Sequence, residues 1–326
     1  MRLIKISVML ILIMVFAKEK TFAQNPIITK MFTADPAVLV YNDTVFLYVS
    51  HDEAEVGVND YIMHEWEVFS STDMVNWTDR GTCLYSKDFS WVLKHAYAPH
   101  CVYHDGKFYM YAPMEHKKDS LSDGGFAIGV AVSDSPTGPF KDAIGKALIT
   151  NEMTTDKKHT WDDIDPVVFI DDDGQAYLYW GNLSCKYVKL KSNMIELDGP
   201  ITLVTLPNYT EGPWLYKRNG LYYLAYAALF PECLDYATSN SPTGPWTYRG
   251  RIADTVYNCT TIHASIINFK GDSYFFYHNG ALPTGGNHRR SVCLDYLYYN
   301  PDGTIKKVIQ TANGVNPVKS FSQPGD

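Results

Sequence analysis

One strand-turn-strand unit recurs five times along the chain, and this repetition restricts the fold more than any other feature. In each unit a short apolar run leads into a polar turn, and a second run dense in aromatic side chains follows it. The five aromatic runs are residues 46–49, 108–111, 177–180, 222–226 and 274–277. Such a pattern is typical of a β-hairpin, so the sequence predicts five hairpins of one design.

A second motif is repeated farther along the units. Residues 133–140 are Ser-Asp-Ser-Pro-Thr-Gly-Pro-Phe, and residues 239–246 are Ser-Asn-Ser-Pro-Thr-Gly-Pro-Trp. The units start roughly 50 to 65 residues apart, a spacing that suits a four-stranded sheet with its loops. No long stretch repeats at the helical period. The sequence therefore predicts an all-β protein, a five-bladed β-propeller in which each blade is a four-stranded antiparallel sheet.

Composition agrees with one large β domain. Of the 326 residues 46% are hydrophobic and 14% aromatic, and no Pro/Ser-rich linker interrupts the repeats, so we expect a single propeller over residues 24–326. The formal net charge of −8 argues against a nucleic-acid partner, which requires a basic surface. The six cysteines are dispersed, and we expect buried thiols, with one disulfide as the alternative.

The first 23 residues have the pattern of a secretory signal peptide. Arg2 and Lys5 precede an apolar run over residues 6–17, and Thr21-Phe22-Ala23 resembles a cleavage site. The run is too short to span a bilayer comfortably. We therefore expect a secreted or periplasmic protein without a membrane span after cleavage.

Three acidic residues stand at the head of the first strand in their units: Asp35 and Asp165, each followed by proline, and Glu211, followed by Gly-Pro. In a propeller the innermost strands run in one direction, so residues at their heads meet at one end of the channel, with Ala98 and His263 completing the ring. Each motif alone is an ordinary turn sequence. Desolvated carboxylates cost several kcal/mol if unpaired, so a shared position for all three predicts a chemical function.

Two facing carboxyl groups are what hydrolysis of a glycosidic bond requires. One donates a proton to the leaving oxygen, and the other acts on water or on the anomeric carbon. A third acid near the donor can keep it protonated, because negative charge raises a neighbouring carboxyl pKa.

These motifs resemble glycoside hydrolase family 43, five-bladed propeller enzymes that act on arabinose- and xylose-containing polysaccharides. The resemblance covers nearly the whole mature chain and is carried by residues 34–38, 97–99, 163–166, 210–213, 262–265 and 276–278. It implies that Asp35 is the general base, Glu211 the general acid and Asp165 the residue that tunes and orients Glu211. It also implies inversion, with the base and acid about 6.5 to 9.5 Å apart.

The resemblance suggests further site residues. It places Arg290, with Arg289 as the alternative, beside the acids to bind substrate and hold carboxylates ionised. His278 is a second candidate for substrate binding. His263 is expected to face the channel, where water or a calcium ion fills the axis, although one histidine is a poor calcium signature. No cofactor is required for the expected reaction.

Exposed aromatic side chains are expected around a sugar-binding cavity, because sugar rings stack on them. Trp91, Trp161 and Phe230 are our candidates, since all three fall in predicted loops. The expected substrate is an oligo- or polysaccharide.

The favoured activity is exo α-L-arabinofuranosidase, because no extra C-terminal β-sandwich, common in xylosidases of this family, is expected here. β-Xylosidase and endo-arabinanase use the same acids and remain alternatives. A fructan hydrolase would be expected to have Asn-Asp-Pro where this chain has Ala34-Asp35-Pro36. A non-catalytic glycan-binding propeller would not need three acids.

Overall fold

The computed structural model describes residues 24–118, 124–154 and 159–318, so the predicted signal peptide lies outside the described residues. Within them, strands form five antiparallel sheets, and the helical elements are two short 3₁₀ helices, Ser86–Asp88 and Asn151–Met153. The innermost strands of successive sheets pack side by side, and the last packs against the first. The prediction of an all-β, five-bladed β-propeller is confirmed.

The strands follow the order of the blades along the chain. Blade 1 contains β1 (Thr33–Tyr41), β2 (Thr44–His51), β3 (Glu65–Ser71) and β4 (Thr78–Tyr85). Blade 2 contains β5 (Val92–Lys94), β6 (His100–His104), β7 (Lys107–His116), β8 (Gly125–Ser133) and β9 (Lys141–Asp142). Blade 3 contains β10 (Val167–Ile170), β11 (Ala176–Trp180), β12 (Cys185–Leu190) and β13 (Thr202–Val204). Blade 4 contains β14 (Tyr209–Arg218), β15 (Leu221–Ala228), β16 (Cys233–Ser239) and β17 (Thr247–Ala253). Blade 5 contains β18 (Ser265–Phe269), β19 (Asp272–Asn279) and β20 (Ser291–Tyr296).

Blades 2 and 5 differ from the expected four strands. In blade 2 both β5 and β6 pair with β7, at different points along it, so two short strands share the inner position. Blade 5 has three strands, and residues 25–27 lie along its outer strand, where the Ile27 amide donates to the Val292 carbonyl at 2.8 Å. Residues 25–27 therefore join the last blade and help to close the ring.

The repeated Ser-Pro-Thr-Gly-Pro motif connects neighbouring blades. The Tyr48 hydroxyl of blade 1 donates to the Pro136 carbonyl of blade 2 at 2.5 Å. The Tyr179 hydroxyl of blade 3 makes the equivalent bond to Pro242 of blade 4, also at 2.5 Å. Each buried tyrosine thus finds a partner for its polar end while its ring fills the interface between blades. All six cysteines are buried free thiols, as expected.

The strand directions determine where functional side chains can meet. The inner strands β1, β6, β10, β14 and β18 start at one end of the channel. Their antiparallel partners β2, β7, β11, β15 and β19 therefore end there. Two sets of side chains, from strand starts and from strand ends, surround the same opening.

Candidate active site

A cavity of about 800 Å³ lies at this end of the channel. The structure brings Asp35, Asp165 and Glu211 together in its lining, with His263 and Arg290 beside them. All of these side chains except Glu211 are buried, and that of Glu211 is only 13% exposed. The common position of Asp35, Asp165 and Glu211 at the head of the inner strands therefore brings these side chains close together.

Backbone conformation at the strand starts explains this placement. Asp35 and Asp165, which precede prolines, have φ of 53° and 58°, in the left-handed region that Asp tolerates better than most residues. In blade 4 the residue before the proline is Gly212, with φ of 57°. A Cβ atom there would lie 2.9 Å from the His263 ring. Glycine is therefore required before the proline, and the acid of blade 4 stands one position earlier as the longer Glu211.

Asp35 lies in a positively charged environment. Arg290 donates from Nη1 to Asp35 Oδ1 at 2.8 Å, and Ser50 donates from Oγ to Oδ2 at 2.8 Å. Asp52 fixes the arginine by accepting from its backbone amide, from Nε at 2.9 Å and from Nη2 at 2.9 Å. Burial by itself would raise the pKa of Asp35, but Arg290 and the nearby His263 lower it to about 2. Asp35 is therefore a carboxylate at any working pH.

His263 lies between the acids. Its Nδ1 is 3.3 Å from Asp35 Oδ1, and its Nε2 is 3.1 Å from Glu211 Oε1 and 3.5 Å from Asp165 Oδ2. Burial would lower the pKa of the imidazole, but the carboxyl groups of Asp165, Asp35 and Glu211 raise it to about 10. The ring is therefore a cation, and it holds Asp35 and Glu211 apart rather than in contact.

Asp165 and Glu211 form the less charged side of the site. Asp165 Oδ2 accepts from the Gly212 amide at 3.1 Å, which fixes the backbone next to Glu211. Glu211 Oε2 accepts from Asn182 Nδ2. Burial, together with the neighbouring Glu211 and Asp35 carboxyl groups, raises the pKa of Asp165 to about 8 despite the opposing effect of His263. The Asp165–Glu211 pair therefore retains a proton at neutral pH, whereas Asp35 does not.

Two of the three predicted aromatic contacts lie at the cavity. Trp161 and Phe230 line it with 50% and 73% of their surfaces exposed. The Trp161 ring stacks on His159 at 4.0 Å, and His159 Nε2 is 2.9 Å from Asn182 Oδ1. Trp161 is therefore connected to Glu211 through the side chains of His159 and Asn182.

The structure corrects two predicted contacts. Trp91 is only 8% exposed and packs against Phe89 and His116, because the short strand β5 draws its segment into blade 2. His278 is fully buried behind Asp35, whose backbone amide donates to His278 Nδ1 at 3.2 Å. Burial, together with Arg290, lowers the pKa of His278 well below its usual value, so this neutral ring supports Asp35 and does not reach the cavity.

Sequence reasoning missed several residues of the site. Asp52, Asn182 and Glu232 all follow the second strand of their hairpins. The symmetry argument that was applied to the strand starts applies equally to the ends of the second strands. Polar residues at these strand ends could therefore have been recognised as candidates from the sequence. Tyr97, which precedes the strand start of blade 2 and belongs to the residues that carry the resemblance, also lines the cavity. Tyr61 and Phe126 line it too, but they come from an irregular loop and from β8, without a repeated position.

The residues at the axis do not fit a calcium ion well. Calcium takes about six to eight oxygen ligands, whereas Asp165, Glu211 and His263 offer two carboxylates and a nitrogen that already contacts them. The imidazole is itself a cation that would repel a second one. Below it the axial cavity measures about 20 Å³, room for roughly one water and not for a hydrated ion. His263 itself supplies positive charge beside the axis, where water or a calcium ion was expected.

A carboxylate and a proton-retaining pair of acids, facing one cavity with exposed aromatic side chains, can protonate a glycosidic oxygen while activating water. The fold and this site are those of a glycoside hydrolase. The model of the family described as Glycosyl hydrolases family 43 matches residues 23–305. The chain belongs to glycoside hydrolase family 43, and it is a glycosidase.

Individual relatives agree with this assignment. The chain is 33% identical to Xylosidase/arabinosidase 43A from Humicola insolens, over 86% of this chain and 98% of that protein. A family 43 β-xylosidase/α-arabinofuranosidase from a compost microbial metagenome, solved with xylotriose in a calcium-free form, superposes with a TM-score of 0.77 at 31% identity and covers 87% of this chain and 97% of its own. An α-L-arabinofuranosidase from Clostridium thermocellum gives a TM-score of 0.71 at 35% identity, covering 89% and 98%.

Proposed function

We propose that this enzyme is an exo-acting α-L-arabinofuranosidase that removes terminal arabinofuranosyl units from plant cell-wall glycans with inversion of configuration. The observation that carries the proposal is the contrast between two acid groups at the floor of one cavity: Asp35 is bonded to the buried Arg290, whereas Asp165 and Glu211 lie close to each other. Asp35 has a pKa lowered to about 2, while the pKa of Asp165, next to Glu211, is raised to about 8. The relatives named as arabinosidases support the choice of sugar.

In the proposed mechanism Asp35 is the general base. Held ionised by Arg290, it accepts a proton from the water that attacks the anomeric carbon. Glu211 is the general acid and donates its proton to the leaving oxygen, oriented by Asn182 and His263. Asp165 keeps that proton on the pair and fixes the backbone of Glu211 through the Gly212 amide. The imidazole between Asp35 and Glu211 supports the wide spacing of an inverting enzyme, about 6.5 to 9.5 Å.

The cavity supports exo action on a chain end or branch. Its floor is formed by the buried acids, and below them the channel narrows to about 20 Å³. Trp161 and Phe230 stand on its wall, where we place the stacking contacts to the substrate, and the reaction requires no cofactor. β-Xylosidase activity is the second candidate, because the compost enzyme that this structure resembles is a β-xylosidase/α-arabinofuranosidase.

The test is product analysis on wheat arabinoxylan and on xylo-oligosaccharides, with proton NMR of the first sugar released. We expect arabinose as the main product, released in the anomeric configuration opposite to that in the polymer. Glu211→Gln should lower the rate on arabinoxylan at least about a hundredfold, as expected for loss of a general acid. Asp43→Asn, in an exposed turn at the opposite end of β1, is the control. Xylose alone would establish the second candidate, and retained configuration would overturn the mechanism.

We also propose that the enzyme is exported, on the basis of the sequence of residues 1–23. No helix within the described residues is long and apolar enough to cross a bilayer. N-terminal sequencing of the exported protein should give Gln24 as the first residue, and recovery of Met1 would contradict this.

A further inference from the structure

Glu232 is an acidic residue at the cavity to which the proposed mechanism assigns no role. It lies in the loop between β15 and β16, lines the cavity and is only 2% exposed. Its position is fixed at two points. The Glu232 amide donates to the Thr260 carbonyl at 2.9 Å, and the Ile262 amide donates to Glu232 Oε2 at 2.8 Å.

Burial, followed by the nearby negative charge of Glu211, raises the pKa of Glu232 well above its usual value. The positive charge of His263 opposes this shift without reversing it. A further negative charge beside Glu211 would add repulsion in a closed space. The direction of this shift favours the protonated, neutral form of Glu232.

A neutral carboxyl group can accept one hydrogen bond and donate another. Among the described residues the Ile262 amide is the hydrogen-bond partner found for this carboxyl group, and it faces Oε2. The proton on the group then has no protein acceptor in the described part of the chain, although the residue lines the cavity. Sugars fill such cavities with hydroxyl groups that need polar partners.

We infer that Glu232 donates a hydrogen bond to one hydroxyl group of the terminal sugar unit and so determines recognition of that hydroxyl. The inference rests on the proposed glycosidase reaction for the location of the sugar, but it does not depend on which pentose is bound. Glu232 then touches substrate as a specificity-determining residue, distinct from the acid that protonates the leaving oxygen.

The experiment compares wild type, Glu232→Gln and Glu232→Ala on monodeoxy analogues of the p-nitrophenyl glycoside that the wild type hydrolyses best. Glutamine keeps an acceptor for the Ile262 amide and a donor for the sugar, so its kcat/KM should stay within about threefold of wild type. Alanine should lower kcat/KM about tenfold to a hundredfold on the parent glycoside, as expected for a hydrogen bond lost in a closed site. On the analogue that lacks the hydroxyl group bound by Glu232, the kcat/KM values of Glu232→Ala and wild type should converge.

Thermal melting shows whether each variant is folded, and Glu55→Ala, at an exposed site on the β2–β3 loop, is the matched control. If Glu232→Ala does not fold, Glu232→Met, of similar length but without a donor, replaces it. An equal loss on every analogue would indicate a structural role and overturn the inference, as would inactivation by Glu232→Gln. Failure of the arabinofuranosidase proposal can be told apart from failure of this inference. It would be seen in which p-nitrophenyl glycoside the wild type hydrolyses best.

Discussion

The two sides of the acid cluster differ in the positive charge available to them. On one side Asp35 has a fixed guanidinium, Arg290, which Asp52 holds in place through three hydrogen bonds. On the other side, the positive group found beside Asp165 and Glu211 among the described residues is the imidazolium of His263, which they share with Asp35.

This difference shows how one residue type is given two roles. Asp35 and Asp165 stand at equivalent positions in blades 1 and 3 and have the same left-handed backbone conformation. Their pKa values nevertheless move apart, to about 2 and about 8, because the neighbouring charges differ. The pKa values of the two aspartates are thus set by what the loops bring to the two positions, not by the repeated strands themselves.

The largest expected effect separates the base from the acid. Asp35→Asn should lower kcat by about 10²- to 10⁴-fold on both arabinoxylan and a p-nitrophenyl glycoside, because every substrate needs the water activated. Glu211→Gln should show a loss of that size only on arabinoxylan, since a p-nitrophenolate departs without protonation. Initial rates on the two substrates measure the contrast.

This division of roles would be contradicted if the rate of Asp35→Asn were much less reduced on the p-nitrophenyl glycoside than on arabinoxylan. Asp43→Asn should match the wild type on both substrates, since its side chain lies in an exposed turn away from the cavity. Equal losses for both acids on both substrates would mean that neither role is specific.

A second, smaller effect concerns stability. Asp35 has a pKa of about 2 against an ordinary 3.8, so it contributes stability that is present above pH 4 and lost as the pH falls through 2. Asp165 has a pKa raised from 3.8 to about 8, so the folded state holds a proton that the unfolded chain releases, and stability falls as the pH rises from 4 to 8. Replacing aspartate by asparagine should therefore change the pH dependence of stability in opposite directions at the two positions.

Melting temperatures of Asp35→Asn and Asp165→Asn at pH 5 and pH 8 test this. Relative to wild type, Asp35→Asn should be destabilised at both pH values, because Arg290 loses a buried partner. The melting temperature of Asp165→Asn relative to that of wild type should rise between pH 5 and pH 8. Its activity should be lower than that of wild type. A melting-temperature difference between Asp165→Asn and wild type that does not change with pH would contradict the raised pKa.

The sequence predicted the part of the site that follows from symmetry, but only some of the part that follows from loops. Asp35, Asp165 and Glu211 could be placed because a repeated unit gives repeated positions. Trp91 was placed wrongly, because a loop assignment from local sequence could not anticipate that β5 would pair with β7 and bury it.

The group that fixes the arginine was also beyond reach of the sequence. Asp52 and Arg290 are 238 residues apart, and only the closed ring brings them together. The resemblance placed Arg290 beside the acids to hold a carboxylate ionised, but no motif indicated that Asp52 holds the guanidinium in place.

The smallest expected effect concerns calcium, which would add positive charge to the less charged side of the site. His263 already occupies the space between the acids as a cation, so a divalent ion would have to displace its proton against a pKa raised to about 10. Dialysis against EDTA, and then addition of millimolar calcium, should change neither kcat/KM on arabinoxylan nor the melting temperature. His263→Gln should differ from wild type in both, since it removes the charge that balances three carboxyl groups. Loss of activity on EDTA treatment and its recovery with calcium would show that a metal, and not the imidazolium, supplies the positive charge between Asp35 and Glu211.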